Sequence, residues 1–317
     1  MAKTKRRVAG KIDIKAAKNS LAKIPAVKEF NTVREVVEAT VRKLEDFYNA
    51  PAKGIAQELF PPSGLPPGTL TIICSMPSQG KTAYLANMAL ELARSGRCAA
   101  VFLPDGTQEE FVSKMLAIGS SLKYRQLMRG YLTREDWPRL AAVKEEIAKA
   151  GLYFSELRNM HPQYIHEAAA RLSAELKKAG RRLDAVIVDS LEYTADFESD
   201  RPLFWFRKIA DELETSVICA LGLRQNEKTE HGFVRLGDLR AARINEKETD
   251  LLLHLSRPEY YDRTDPTLTG KATIWCLYSK DMRKHGAHLL FDHETLAFTR
   301  PSFIMDEGMV IKEEKVF

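Results

Sequence analysis

The stretch Ser75-Met76-Pro77-Ser78-Gln79-Gly80-Lys81-Thr82 concentrates the residues best suited to chemistry in this 317-residue chain. An apolar run, Leu70 to Cys74, leads into it, and an alanine- and leucine-rich stretch, Thr82 to Ser95, leads away. A Gly-Lys-Thr turn between a strand and a helix is the setting of a phosphate-binding loop. Backbone N–H groups of the loop and of the helix N-terminus would point at phosphate oxygens. Pro77, Ser78, Gln79, Gly80, Lys81, Thr82 and Ala83 are therefore the expected nucleotide-binding residues. Lys81 would neutralise the β- and γ-phosphates, and Thr82 would offer its hydroxyl to Mg²⁺. The loop departs from GxxxxGK[ST] at its first position, where Ser75 stands in place of glycine. Serine serves there only if the backbone needs no positive φ.

A second element is Val186-Ile187-Val188-Asp189. An apolar run ending in an acid is a common pattern alone. Paired with an upstream phosphate loop it reads as a strand that brings Asp189 to the water shell of Mg²⁺. Both elements would converge at the carboxyl ends of the strands, where open α/β sheets bind ligands.

The elements that must position these residues follow from periodicity. Strands are predicted at 70–74, 99–103, 185–188, 216–221, 251–255, 272–278 and 288–291, and helices at 82–95, 107–119, 133–149, 162–179 and 203–213. Strands alternating with helices mean βαβ units and a mainly parallel sheet. The late strands have little helix between them and predict an antiparallel edge. Phe204, Trp205 and Phe206 read as core aromatics. Val33, Val36, Val37, Val41, Leu44 and Phe47 recur at three- and four-residue steps, so 30–48 reads as an amphipathic helix. A Pro/Gly-rich connector covers 49–68.

Composition excludes several classes. Hydrophobic residues are 44% and charged residues 29%, which rules out a disordered or collagen-like chain. The net charge is +5, yet residues 1–28 hold nine basic side chains and one acidic. The basic character belongs to an N-terminal arm, and clustered Lys/Arg can contact nucleic-acid phosphates. Cys74, Cys98, Cys219 and Cys276 form no CxxC pair, which argues against a zinc ribbon and fits a reducing, cytoplasmic setting. The histidines show no HxxxH spacing for a metal. No uncharged stretch is an unbroken membrane span.

On these residues the chain resembles the RecA-like motor domain of DnaB-type replicative helicases, from about residue 33 to about residue 300. PSQGKTAYLANMALELA resembles the family's PSMGKT loop and helix. Glu38 to Glu45 is similar to its linker helix, Gly64 to Leu70 to its approach to the first strand, Leu191 to Leu213 to its DNA-facing loop and helix, and Asp238-Leu239-Arg240 with Glu246 and Asp250 to its DLRxSG…E…AD segment. The resemblance implies an α/β, RecA-like P-loop NTPase core with a mainly parallel twisted sheet. It divides the chain into a basic flexible arm (1–28), a linker helix and connector (29–62), the ATPase domain (63–302) and a C-terminal tail (303–317). The basic arm stands where the family has a large N-terminal domain.

The resemblance further implies a helicase that hydrolyses ATP with Mg²⁺ at the subunit interfaces of a homo-hexameric ring. Such a ring would translocate on single-stranded DNA, with a primase or helicase loader as possible partners and no membrane. The family's catalytic glutamate falls on Asp105, one methylene shorter, and its trans-acting Lys-x-Arg falls on Lys280 and Arg283 with one extra residue between them. DNA-phosphate contacts fall on Arg240, Ala241 and Arg243, with Arg201 nearby. Gly222 replaces the family's glutamine after the following strand, and Ala241 replaces an acid. These departures leave open an ATP-binding ring component or helicase regulator with weak turnover. A RecA-type recombinase or clock-like ATPase shares the fold, but no subunit-swap motif is recognisable.

Overall fold

Strands that are buried on both faces carry near-continuous apolar sequence, because a parallel sheet is covered by helices on each side. A computed structural model describes residues 66–223, 234–262, 264–280 and 286–300. Its central strands, β1 (Leu70–Ser75), β2 (Cys98–Leu103), β4 (Ala185–Val188) and β5 (Ser216–Gly222), are buried almost throughout. With β3 (Gly151–Glu156), β6 (Leu251–Ser256), β7 (Lys271–Ser279), β8 (Gly286–Phe291) and β9 (Phe298–Thr299) they form one sheet in the order β3-β2-β4-β5-β1-β6-β7-β8-β9. The six strands from β3 to β6 are mutually parallel, and β6 to β9 run antiparallel. The antiparallel edge is the one the closely spaced late strands predict.

Period-two alternation sends successive side chains to opposite faces. Ile73, Val101, Ile187 and Ile218 pack against α1 (Lys81–Arg94) and α2 (Gln108–Ser120) through Tyr84, Leu85, Met88, Phe111 and Met115. Ile72, Cys74, Val186, Val188 and Val217 face the other way, onto α5 (Pro162–Lys178) and α6 (Phe204–Leu213) through Ile165, Ala169, Phe206 and Ile209. The short helix α3 (Tyr124–Met128) and the longer α4 (Asp136–Ala148) lie between α2 and β3, and α7 (Leu236–Ala241) precedes β6. No helix among the described residues is long and apolar enough to cross a membrane.

Four strands and helices escape the sequence reading. β3 is an edge strand with mixed burial, so its alternation is weak. β9 has two residues, and Asn87 of α1 holds it by accepting the Phe298 N–H at 3.1 Å while donating to Leu296 O at 3.0 Å. α3 has five residues and α7 six. One reading is corrected: of the three aromatics, Phe206 is fully buried, whereas Phe204 is 39% exposed and Trp205 is half-buried. Arg201 stacks over Phe204 and Lys208 over Trp205, because a helix turns only one side chain in three to four toward the core.

The amino-terminal rim of the sheet is tied by one cluster. Arg207 of α6 donates to Gly68 O at 2.6 Å and pairs with Asp211 and Asp250, and Asp250 also accepts the Leu70 N–H at 2.8 Å. Truncating the largest α6 anchor, Phe206→Ala, is expected to lower unfolding free energy by about 3–5 kcal/mol through lost burial and a residual cavity. Urea titration should report it as a fall in midpoint with an unchanged slope.

Candidate functional site

Register places the site. Ser75 pairs with Gly222, Cys74 with Leu221, Val188 with Cys219, and Phe102 with Val188. The ends of β1 and β5 therefore lie level, those of β4 and β2 stop together three residues short of them, and the residues that follow all four share one rim. Ser75 is extended strand backbone, so the serine there meets no steric objection. The positive φ values fall later, at Ser78 (62°) and Gly80 (92°). Gly80 is obligatory on two counts. Its φ is left-handed, and a Cβ there would sit 3.3 Å from the Phe298 ring and 3.8 Å from Arg257 Nη1.

Pro77 and Ser78 are exposed at the loop crest, Gly80 and Thr82 are half-buried, and Ala83 is buried under the first turn of α1. Gln79 turns inward. It is buried, its Oε1 accepts the Arg257 N–H at 2.7 Å, and its Nε2 finds no acceptor among the described residues. Its side chain fastens the loop to the end of β6 instead of facing the rim. Arg257 is itself held by Glu259 at 2.8 and 3.0 Å and lies over the Phe291 ring. This brace is invisible in sequence because its parts are far apart along the chain.

Lys81 Nζ donates to Ser75 Oγ at 3.3 Å. Burial pushes its pKa below the ordinary lysine range, while Glu192 and Asp189 pull it back. Asp189 is buried, and burial pushes its carboxyl up to about 6 from 3.8; the Thr82 hydroxyl opposes that by hydrogen bonding, Glu192 adds to it, and Lys81 and Lys114 oppose it electrostatically. Lys114 of α2 is a cation of this site that no sequence pattern marks. The Thr82 hydroxyl and a buried, anionic Asp189 together make an oxygen donor set suited to a hard divalent cation that keeps most of its water.

Glu192 is the other residue that sequence reasoning missed. It sits on the 3₁₀ turn Leu191–Tyr193 that follows β4. A Cβ on Gly222 would fall on its Oε1 and would lie 3.4 Å from Lys81 Nζ. The space that a side chain at position 222 would take is therefore filled from the neighbouring strand.

The remaining predicted residues lie apart from this group. Asp105 follows β2 on the same rim; it is exposed and has no hydrogen bond or ion pair among the described residues. Arg240, Ala241, Arg243 and Arg201 are all exposed. Arg240 pairs with Glu246, and Arg243 pairs with Asp200 at 3.3 Å. Lys280 directly follows β7, which runs antiparallel to β6, so it lies on the amino-terminal rim and its Nζ is 3.6 Å from Asp250 Oδ1. One strand length, about 20 Å for six residues, separates that rim from the phosphate loop. Arg283 lies outside the described residues.

A mainly parallel sheet between helices, with a phosphate loop joining its first strand to its first helix, defines a RecA-like ATPase fold. Comparison with known proteins agrees. The chain belongs to the DnaB-like helicase C-terminal domain family, which matches residues 61–300. It is 24% identical to the replicative DNA helicase DnaC of Bacillus subtilis (strain 168) over 74% of this chain and 54% of that protein. It is 26% identical to the replicative DNA helicase DnaB of Buchnera aphidicola subsp. Baizongia pistaciae (strain Bp) over 76% of this chain and 55% of that protein. The chain spans about half the length of these curated relatives. Among solved structures, one ATPase domain superposes with a TM-score of 0.74 at 18% identity, covering 86% of this chain and all of that one. A DnaB-like replicative helicase studied with primase superposes at 0.72 and 18% identity, covering 90% of this chain and 71% of that one. The family implies a bound nucleotide.

The buried carboxylate has a measurable consequence. Asp189 titrates higher folded than free, so its ionised form weakens the fold above about pH 6, and that cost fades as pH falls toward 3.8. Asp189→Asn is expected to stabilise the nucleotide-free protein by about 2 kcal/mol at pH 8 and by almost nothing at pH 4. Thermal unfolding at the two pH values checks this; equal gains at both would point to packing instead of ionisation.

Proposed function

We propose that this chain is an ATP-dependent DNA helicase motor that hydrolyses ATP at the subunit interfaces of a ring, translocates on single-stranded DNA and unwinds duplex during replication. The observation that carries the reading is the meeting of Lys81, Thr82 and Asp189 on one rim of the sheet while Lys280 stands on the other. Lys280 cannot reach its own phosphate loop. It can act only on a nucleotide held by a neighbouring copy, which is the arrangement a ring provides.

In this reading the loop N–H groups and Lys81 bind the β- and γ-phosphates. Thr82 and Asp189 would hold Mg²⁺, which would neutralise charge on those phosphates. Asp105 supplies a carboxylate at the outer edge of the site. Lys280 and Arg283 of one copy would stabilise charge on the phosphoryl group bound by the next. Arg201, Arg240, Ala241 and Arg243 form the DNA-phosphate face. The Arg243–Asp200 pair is exposed on both sides, and exposed pairs are worth about 1 kcal/mol or less, so Arg243 can exchange its carboxylate for a DNA phosphate at small cost, whereas Arg240 is exposed but its partner Glu246 is buried and holds it more firmly. A homo-hexamer, with a primase or a loader as partner, is the assembly this motor would serve.

Lys81→Ala is expected to cut ATP hydrolysis by about 100-fold or more, because the phosphate clamp is lost. Undiminished turnover in that variant would remove the site assignment. The trans role is tested by mixing. Lys280→Ala alone is expected to lose at least about tenfold in DNA-stimulated hydrolysis. Mixing it in equal amounts with Lys81→Ala should restore about a quarter of wild-type activity, since one interface type then unites an intact loop with an intact lysine. Two variants that stay inactive together would place Lys280 outside the reaction of its neighbour.

A further inference from the structure

We propose that Glu192 is the carboxylate that holds the attacking water at the γ-phosphate in this chain, from the space that a side chain at position 222 would otherwise occupy. This rests on the nucleotide-site reading above and goes beyond it.

Four observations converge on Glu192. Its direction is set by rigid neighbours: Leu191 is fully buried, and Thr194 Oγ1 donates to Leu191 O at 2.7 Å. Gly222 lies in β5 and needs no left-handed φ, so its backbone does not call for glycine; the Glu192 carboxylate does. Lys81 Nζ borders that same point at 3.4 Å, which sets ammonium and carboxylate across one side chain's width. Finally, Glu192 Oε2 is buried without a hydrogen-bond donor among the described residues. An ionisable acceptor left unmet in the interior costs about 1–3 kcal/mol, and such a cost is tolerated where a ligand supplies the partner. A water molecule is a donor of the right kind, whereas a phosphate oxygen, being an acceptor, is not.

Position in the sheet favours Glu192 over Asp105. Glu192 follows β4, two strand spacings from β1, whereas Asp105 follows β2, three spacings or about 14 Å away, and is one methylene short of glutamate. In the step envisaged, one water O–H donates to Glu192 Oε2. A lone pair of the water oxygen forms the new bond to the γ-phosphorus. The bond from that phosphorus to its bridging oxygen breaks and leaves its electron pair on the diphosphate, and the water protons leave with the phosphate product. Glu192 sets the line of attack, which is the part of the barrier that orientation controls.

The test uses the full chain with and without single-stranded DNA, reading turnover at saturating ATP and affinity for a fluorescent, non-hydrolysable ATP analogue. Glu192→Gln should lose about 100-fold in turnover and keep analogue affinity within about threefold. Gly222→Ala should displace the carboxylate and lose about tenfold or more, yet have no further effect in the Glu192→Ala background, as coupled residues in a double-mutant cycle require. Retained analogue binding shows that each variant is folded. Wild-type turnover in Glu192→Gln beside an inactive Lys81→Ala would overturn the inference and leave the site reading standing. A Glu192→Gln variant altered in affinity alone would make Glu192 a counter-ion of Lys81, which also overturns it. Lys81→Ala with normal binding and turnover would sink the nucleotide site itself.

Discussion

Parallel strands that pair in register must all leave the sheet on the same side, and the loops that follow them have nowhere else to go. Ser75 opposite Gly222 ends β1 and β5 together, Phe102 opposite Val188 does nearly the same for β2 and β4, and all four strands open on one rim. Everything at the candidate site follows from that alignment. The phosphate loop comes from β1, Gly222 from β5, Asp189 and Glu192 from β4, and Asp105 from β2. Helices must cover both faces to keep such a sheet out of water, so the core splits into two apolar layers and the polar groups collect at the rim.

The rim is an electrostatic compromise. Lys81 is drawn out of water beside two carboxylates, and Asp189 is buried enough that its ionisation opposes folding. A fold selected for stability alone would neutralise that carboxylate. Keeping it charged suits a site that receives a cation and a polyphosphate, whose charges complete what the protein leaves unbalanced. The Arg257 brace beneath Gly80 serves the same end from the apolar side, by holding the loop while its crest stays open.

The opposite rim is built differently. There Arg207, Asp250 and the Leu70 N–H close a tight polar cluster, and Lys280 stands at its edge. One rim is a cluster of unfinished charges and the other a satisfied network with a projecting cation. Stacking copies so that one rim faces the other gives each loop a cation from next door, which is the physical content of the proposed ring.

Much of this was legible in the residues alone. β1, β2, β4 and β5 could be read as apolar runs because both their faces are buried. Gly80-Lys81-Thr82 and Asp189 could be read because a phosphate loop and a strand-terminal acid each occupy contiguous sequence. The family followed from those segments. β3, β9, α3 and α7 could not be read, since an edge strand of mixed burial and very short elements take their conformation from neighbours. The trio Phe204, Trp205 and Phe206 looked alike as types, and only the orientation of α6 against the sheet sends Phe206 inward and leaves Phe204 at the surface. Gly222 read as a lost side chain. The pairing of β4 beside β5 decides otherwise, because it lays the Glu192 carboxylate across Gly222 and beside Lys81. Local chemistry is written along the chain, but one residue filling the place of another is a relation across space, and only the packed sheet brings the two together.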